Sequence, residues 1–332
     1  ATVVGPASGA ARVLGAAANL RLTVVLLGSG ALLLAAHASG IELGTWLPLV
    51  VLGLLTANLG ASIAHRRMWR RPPLGVFHGL LLAAVGLAAW GRLSRYAAVV
   101  PAVEGVPVAL STPSAARGPW APGHLDTSRV LVEEYDTHYW RSDKQQSGRT
   151  RLQLLEGGRT VLRADVRANE PAELDGTQLY CNGGHGFAAV FAYARPGAGE
   201  PELGMILFED YRRKPGEQQQ ELNVPAVGTL VARLSVGELM RRDGPWQLRA
   251  PARAEVTLSG GPLGEPRSLG VGESLALGGG TLTFVGLRRH GLITVNHDPS
   301  AGWILLLSLC SPVALLYHWL PRWLRQRREA RR

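Results

Sequence analysis

The apolar residues of this chain are concentrated in long runs near its two ends. Three runs lie at 20–39, 46–64 and 74–93, and a fourth lies at 302–320. Because a helix needs about 20 mostly apolar residues to cross the hydrocarbon core of a bilayer, each run predicts a transmembrane helix. The pattern therefore indicates a membrane protein with four spans.

The connections between the first three runs define how these helices follow one another. The segment 40–45 is only long enough for a turn, so the first two helices are predicted to be antiparallel neighbours. Trp46 suits an anchor at the membrane interface, and Asn58 is a polar residue at mid-depth of the second helix. Pro72 and Pro73 are predicted to end that helix, because proline cannot donate to the helical hydrogen bonds.

Between the third and fourth runs the chain becomes polar and is interrupted by glycine and proline. Strand-forming stretches such as 130–135 and 160–166 alternate with Gly-Gly pairs, which is typical of antiparallel strands and turns. We therefore predict an all-β domain over 123–300, inserted between helices three and four. Residues 94–122 are rich in proline and predict an extended tether before it.

The basic residues indicate which side of the membrane each segment occupies. The net charge is +10, and its densest arginine groups, at 65–71 and 322–332, each follow an apolar run. Arginine-rich loops stay in the cytoplasm, so both clusters are predicted to be cytoplasmic. The N-terminal tail 1–19 and the basic tail 321–332 are then cytoplasmic, and the β domain lies outside the plasma (inner) membrane of a bacterium. This distribution argues against nucleic-acid binding.

Motifs exclude several classes of enzyme and redox protein. Cys181 and Cys310 belong to no CxxC or CxxCH pattern, which excludes a disulfide scaffold, a thioredoxin-like reductase and a covalent c-type cytochrome. No P-loop, Rossmann fingerprint, HExxH or GxSxG occurs. The segment 180–186 contains Cys181 and His185 but is more typical of a hairpin turn than of a nucleophile, so no catalytic residue is predicted. The first apolar run has the length of a retained span and not of a cleaved signal peptide.

Four of the nine histidines lie at predicted membrane boundaries: His65, His78 and His318 on the cytoplasmic side, and His37 on the outer side. Each is either a solvated interfacial residue or an axial ligand for haem iron, since facing helices can supply opposite imidazoles. His78 is the best candidate because it enters an apolar helix between Gly75 and Gly79, which would let a flat macrocycle approach. His65, His318 and His37 are weaker candidates.

Several local patterns extend through most of the chain and together resemble one family. They are Phe77-His78-Gly79 at the start of the third span, the segment 92–105 ending in Val-Glu-Gly, Asn169-Glu170-Pro171 followed by Gly176 and Tyr180, and 295–299 before the last span. In architecture and in these motifs the chain resembles the ResB/Ccs1 family, membrane proteins of the system II pathway of cytochrome c maturation.

The resemblance implies a function in haem handling. The chain would act with a CcsA/ResC-type membrane partner to carry haem b across the membrane and present it, reduced, to apocytochrome c. It would be a non-catalytic subunit of a haem lyase, with the position matching His78 as a haem ligand paired with a histidine of the partner. One alternative is a ResB-like subunit recruited into another redox complex, for electron transfer through a fixed haem or as scaffold. A second is a membrane-anchored β module without a cofactor.

Overall fold

The computed structural model describes residues 16–39, 41, 44, 46–70, 72–140, 145–181, 185–195, 197, 199–208, 218–224, 227–235, 245–251, 254–261 and 263–330. It divides the chain into two compact units. The helical unit comprises 1–96, 117–121 and 297–332, and the β unit comprises 97–116 and 122–296. The helical unit is therefore built from both ends of the chain, as the two groups of apolar runs predict.

Within the described part of the chain, the helical unit contains four α-helices: α1 (Leu20–Ala38), α2 (Trp46–His65), α3 (Pro72–Ser94) and α4 (Ala301–Glu329), with a 3-10 turn at Met68–Arg70. In this unit α1 packs on α2, α2 on α3, and α3 on α4. By length and composition, α2, α3 and α4 could each cross a membrane. The apolar stretch of α1 is shorter, Leu20–Leu33. Helices that could span a membrane are thus a feature of the fold.

The proline positions differ from the prediction. Pro72 and Pro73 form the first turn of α3 and do not end α2, which closes at His65. Proline is compatible with a first helical turn because the backbone N–H groups there have no helical acceptor. At the other end of the chain, α4 continues past 320 through Pro321 to Glu329. The Arg327 guanidinium lies 3.9 Å from the centroid of the Trp323 ring, a cation–π contact within this extension.

A glycine allows α3 and α4 to approach closely. Asp298 Oδ1 accepts hydrogen bonds from the backbone N–H of Ser300 at 2.9 Å and from its hydroxyl at 2.6 Å, just before α4 begins. Gly91 of α3 lies directly against this turn. A Cβ atom on Gly91 would overlap Ser300 Oγ and would lie 2.9 Å from Asp298 Oδ1. The absence of a side chain at Gly91 therefore sets the distance between the two helices.

Asn58 joins α2 to the beginning of α1. Its side chain is 2% exposed, and its Oδ1 accepts a hydrogen bond of 2.6 Å from the Thr23 hydroxyl. Its Nδ2 donates to the carbonyls of Ala17, at 2.6 Å, and of Asn19, at 3.4 Å. A buried amide in an apolar helix is costly unless its polar atoms are satisfied, and here both are. The contact pins the start of α1 to α2.

The β unit is built from three sheets. The strands that the structure describes are β1 (Tyr96–Val103), β2 (Pro107–Ala109), β3 (Ala116–Arg117), β4 (Arg129–Tyr139), β5 (Gln145–Glu156), β6 (Arg159–Arg167), β7 (Ala172–Leu174), β8 (Thr177–Cys181), β9 (Gly186–Ala194), β10 (Glu202–Phe208), β11 (Gln218–Val224), β12 (Gly228–Ser235), β13 (Trp246–Gln247), β14 (Glu255–Gly260), β15 (Leu263–Gly270), β16 (Ser274–Leu277) and β17 (Gly280–His297). The predicted β domain is confirmed, and the stretches 130–135 and 160–166 lie in β4 and β6.

The longest of these strands organises the largest sheet. That sheet has the order β10-β9-β17-β1-β3, and β8 and β16 also pair with β17 while β7 pairs with β8. A second sheet has the order β13-β4-β5-β6 with β2 beside β4, and a third has the order β11-β12-β14-β15. Buried apolar side chains from these sheets form one core, in which the rings of Tyr139 and Trp246 stack with centroids 4.5 Å apart. Fully burying one such large side chain contributes roughly 1.5–3 kcal/mol.

The range predicted to be a tether, 94–122, instead contains β1, β2 and β3. Every second side chain of β1 is buried, at Tyr96, Ala98, Val100 and Ala102, which is the pattern of a strand packed on a core. Prolines do not prevent this arrangement, since Pro101 occurs inside β1 and Pro107 is the first residue of β2. Proline content alone therefore did not distinguish an extended tether from β-strands in this segment.

One arginine connects three segments of the β unit. Arg289 of β17 donates from Nε to the carboxylate of Glu104 at 2.9 Å, and its Nη2 contacts the same carboxylate. Its Nη1 donates to the backbone carbonyl of Tyr135 on β4. Both partners of the ion pair are largely shielded from solvent, with side chains 17% and 19% exposed. This contact links the end of β1 to β17 and β4.

The close approach at Gly91 predicts a sensitive position. Gly91→Ala should lower the free energy of unfolding by about 1–3 kcal/mol, the usual cost of inserting a methyl group into a packed contact. The measurement is unfolding of the purified protein by titration with a denaturing detergent. Gly86→Ala on the same helix is the matched control, because a Cβ there meets nothing within 4 Å. Equal effects of the two substitutions would contradict the close contact of α3 and α4.

Candidate functional site

His78 lies near the start of α3 and is half-buried. Its Nδ1 is 2.9 Å from the carbonyl oxygen of Leu74, one turn earlier. A carbonyl can only accept, so this contact requires the tautomer with the proton on Nδ1. The ring also makes an edge contact with Phe77, with centroids 5.3 Å apart and planes at 89°. In this tautomer Nε2 carries the lone pair of the ring, and it is the nitrogen that could coordinate a metal ion.

The arrangement at His78 has the features of a metal-binding histidine. Histidine ligands almost always donate their second ring N–H to a carbonyl, a carboxylate or water, which fixes the ring and increases the basicity of the ligating nitrogen. The Leu74 carbonyl occupies this role for His78. Haem iron binds through imidazole nitrogen, so the chemistry of this donor fits one axial position.

One face of α3 is open and carries small residues. Exposed positions on it are Val76, Gly79, Ala83, Gly86 and Trp90. His78 lies on a different side of the helix, because residues one or two positions apart do not face each other. A Cβ on Gly79 or on Gly86 would meet nothing within 4 Å, so no other part of the described chain covers these glycines. The positions recur every three or four residues and therefore form one stripe along the helix. A flat group or a second helix could lie against this stripe.

The other candidate histidines occupy different positions. His65 is the last residue of α2 and is exposed. His318 is half-buried on α4, and its ring meets that of Trp319 at 6.4 Å. His37 belongs to α1, but its side chain is outside the described residues. Among the side chains that are described, no three of His, Cys, Asp or Glu form a group that could hold a metal ion.

A cluster of buried rings in the β unit was not anticipated from the sequence. His185 and His290 are 3% and 4% exposed, and the His185 ring makes an edge contact with Tyr135, with centroids 5.4 Å apart. His290 Nε2 donates to the Phe208 carbonyl at 3.0 Å. A Cβ on Gly291 would lie 2.9 Å from His185 Nδ1. The backbone thus packs directly against this ring, which is typical of a structural cluster.

The hairpin predicted at 180–186 is wrong. Cys181 ends β8 and Gly186 begins β9, but these strands each pair with β17 and not with each other. The sequence signal was a glycine-rich segment between two strand-forming stretches, and such a segment can also connect strands that share a third neighbour. Cys181 and Gly186 therefore do not face each other across a two-stranded turn.

Burial raises the pKa of the Tyr135 phenol well above its ordinary value. Nearby Cys181 and Glu104 act in the same direction because negative charge disfavours phenolate, whereas a backbone hydrogen bond involving Gly291 acts in the opposite direction. The hydroxyl of Tyr135 donates to the Ala102 carbonyl at 3.0 Å, a bond that needs the protonated form. Tyr135 is therefore a neutral, structural hydrogen-bond donor between β4 and β1.

Comparison of the sequence with protein-family models and with curated proteins finds no match.

The raised pKa of Tyr135 predicts alkaline sensitivity. Below the ordinary tyrosine pKa of about 10, both folded and unfolded chains keep the proton, and the stabilisation is fully present. Above it the unfolded chain loses the proton while the folded chain retains it, so stability should fall as pH rises. Absorbance titration of the folded protein should show tyrosine absorbance that develops only well above pH 10, and Tyr135→Phe should lower the amplitude of this late step by one tyrosine. Ionisation of every tyrosine near pH 10 in the folded protein would contradict the burial effect.

Proposed function

We propose that this chain is a ResB-like membrane subunit that holds haem b through His78 during cytochrome c maturation. The observation that carries the proposal is the Nδ1 contact of His78 with the Leu74 carbonyl, which orients Nε2 as a ligand. The motif resemblance around Phe77-His78-Gly79 supports the same residue. His65, His318 and His37 are secondary candidates, since the resemblance matches the family's haem ligand to His78 and to none of these three.

The proposed topology has four spans, with both ends of this chain in the cytoplasm and the β unit on the extracytoplasmic side. The arginines of 66–70 and those after 320 support it, because basic loops remain inside. The tryptophans support the proposed positions of the helix ends at the two membrane interfaces. Trp46, Trp90 and Trp303 lie near helix ends assigned to the outer interface, and Trp319 and Trp323 lie near the inner one. Under this topology His78 lies at the inner end of α3.

A CcsA/ResC-type partner would complete the site. His78 would hold the iron from this chain, and a histidine of the partner would supply a second ligand. The open stripe of Gly79, Ala83 and Gly86 supports association of a partner helix with α3, since small residues let helix backbones approach closely in a membrane. Apocytochrome c would receive the haem on the extracytoplasmic side.

The residues of this chain have separate tasks in the proposal. His78 Nε2 would hold the iron, and the Leu74 carbonyl would fix the ring. Haem iron supplies reversible one-electron chemistry when bound, and presenting it reduced is what attachment to apocytochrome c requires. The buried Tyr135 and His185 cluster remains structural, and no catalytic residue is assigned.

Substitution of His78 should remove haem from the complex. Loss of a ligand should cost at least as much affinity as loss of its hydrogen-bond partner, which typically lowers metal affinity about 10–100-fold. The measurement is the reduced-minus-oxidised spectrum of the protein purified with its native partners, for wild type, His78→Ala and the matched variant His65→Ala. Retention of full haem content in His78→Ala would remove His78 as the ligand. Absence of haem from the wild type would favour a scaffold.

Deletion of the gene separates maturation from electron transfer. If the chain acts in maturation, haem-stained c-type cytochromes should be lost from the deletion strain and restored by the wild-type chain but not by His78→Ala. If all c-type cytochromes mature normally while the purified complex still contains haem, the chain would be a recruited subunit of another redox complex.

Labelling of introduced cysteines tests the topology. In a background with Cys181→Ser and Cys310→Ser, a membrane-impermeant thiol reagent applied to intact spheroplasts should modify Thr112→Cys in the β unit. Arg66→Cys, in the basic turn after α2, should react only after the membrane is opened. Both positions are solvent-accessible in the fold, at a half-buried and an exposed residue respectively, so access to the reagent should follow membrane side. The reverse pattern would overturn the proposed orientation.

A further inference from the structure

An apolar cavity of about 520 Å³ lies within the helical unit, between α1, α2 and α3. Its walls include Leu26 and Leu33 of α1, Leu52 and Leu55 of α2, and Arg92 near the end of α3. The volume is within the range of about 300–1,000 Å³ that is usual for ligand-binding pockets. Aliphatic walls of this size favour a ligand with a flexible hydrocarbon part.

Arg92 is the one charged residue among the described residues that line this cavity. Arg95 lies close enough for its charge to act on Arg92. Arg92 gives a positive charge to one end of an otherwise apolar space, and its guanidinium can donate charge-assisted hydrogen bonds to an anion there. Ionisable residues in membrane helices usually mark a functional contact, because burying their charge is costly.

The depth of the cavity fits a lipid of the outer leaflet. Arg92 is close to the end of α3 at Ser94, and Trp90 of α3 and Trp46 of α2 lie near the same helix ends, where headgroups are expected. The lining residues of α1 begin at Leu33, nearer the outer end of the helix, and reach Leu26, about 10 Å closer to the membrane centre. The charged end thus faces the interface, and the apolar part faces the hydrocarbon.

We infer that this cavity binds one acyl chain of an anionic phospholipid, with the lipid phosphate paired to Arg92. The acyl chain lies between α1 and α2, and the phosphate accepts hydrogen bonds from the guanidinium. The site is distinct from His78, which precedes Arg92 by about 20 Å along α3. It depends on membrane insertion of these helices but not on haem binding, so failure of either proposal leaves the other testable.

Retention of lipid by the purified protein tests the site. The full chain is reconstituted in nanodiscs containing equal amounts of phosphatidylglycerol and phosphatidylcholine, released into mild detergent, and analysed by native mass spectrometry. We expect one retained phospholipid, with phosphatidylglycerol preferred about tenfold. Both lipids offer a phosphate to Arg92, but phosphatidylcholine also brings a quaternary ammonium that the neighbouring arginines repel, and a charge interaction of this kind contributes on that scale. A retained fatty acid, a lipid bound without headgroup preference, or no retained amphiphile would overturn the inference.

Paired variants assign the binding to this cavity. Leu52→Trp fills the space and should lower lipid retention several-fold, whereas Leu54→Trp, at a position 52% exposed on the same helix, should not. Arg92→Gln should abolish the preference for phosphatidylglycerol, and Arg92→Lys should keep most of it. Arg66→Gln is the control for non-specific charge effects, because it removes an arginine that follows the end of α2 farther from the cavity. Unchanged retention and preference in Arg92→Gln would overturn the inference even if Leu52→Trp fails to fold.

Discussion

The contact of Gly91 with the Asp298–Ser300 turn is the interaction on which the chain's layout depends. The polypeptide leaves α3 at Ser94 and returns to the helical unit more than 200 residues later, at α4. Two helices so far apart in sequence pair only if their surfaces select each other, because closing a long loop costs entropy before any contact compensates it. The backbone of Gly91 packs against Ser300 and contributes to that selection. The contact lies near the end of α3 and just before the start of α4.

Several polar groups in the apolar helices are satisfied by a neighbour within reach. Asn58 bonds to Thr23 and to two backbone carbonyls of the segment before α1, and the Ser311 hydroxyl bonds to the Leu307 carbonyl at 2.8 Å. His78 does the same through Nδ1, which contacts the Leu74 carbonyl. The imidazole differs from the amide and the hydroxyl because its second ring nitrogen, Nε2, carries a lone pair that can bind a metal ion.

The sequence predicted the helices well because long apolar runs give a strong local signal for helices. The beginnings and ends of α1 and α2 were predicted to within a residue, whereas α4 extends past its apolar run since its basic continuation is still a good helix former. Strands in the β unit were predicted where β-branched and aromatic residues cluster, as in β4 and β6. The hairpins expected at Gly-Gly pairs are present as β5–β6, β14–β15 and β16–β17. The pairing of β17 with β1, β8 and β9 was not predicted, because it joins segments far apart in the sequence that local pattern does not encode.

The candidate site was predictable in identity but not in geometry. His78 is conspicuous as a titratable residue entering an apolar run, yet only the folded backbone gives the Leu74 carbonyl its position opposite Nδ1. Arg92 carried a comparable signal near the other end of the same helix, but its neighbours Leu33 and Leu52 come from helices that must first pack together. The burial of His185 and His290 likewise arises from long-range packing against Tyr135 and Phe208, which no spacing within the chain reveals.

The short distance between Gly91 and Ser300 also describes how the β unit is attached to the helical unit. A domain whose two ends connect to neighbouring points of its host can be inserted without separating the host's own elements. The end of α3 and the turn before α4 are such neighbouring points. A short linker in place of residues 97–296 would therefore be long enough to join the two helices.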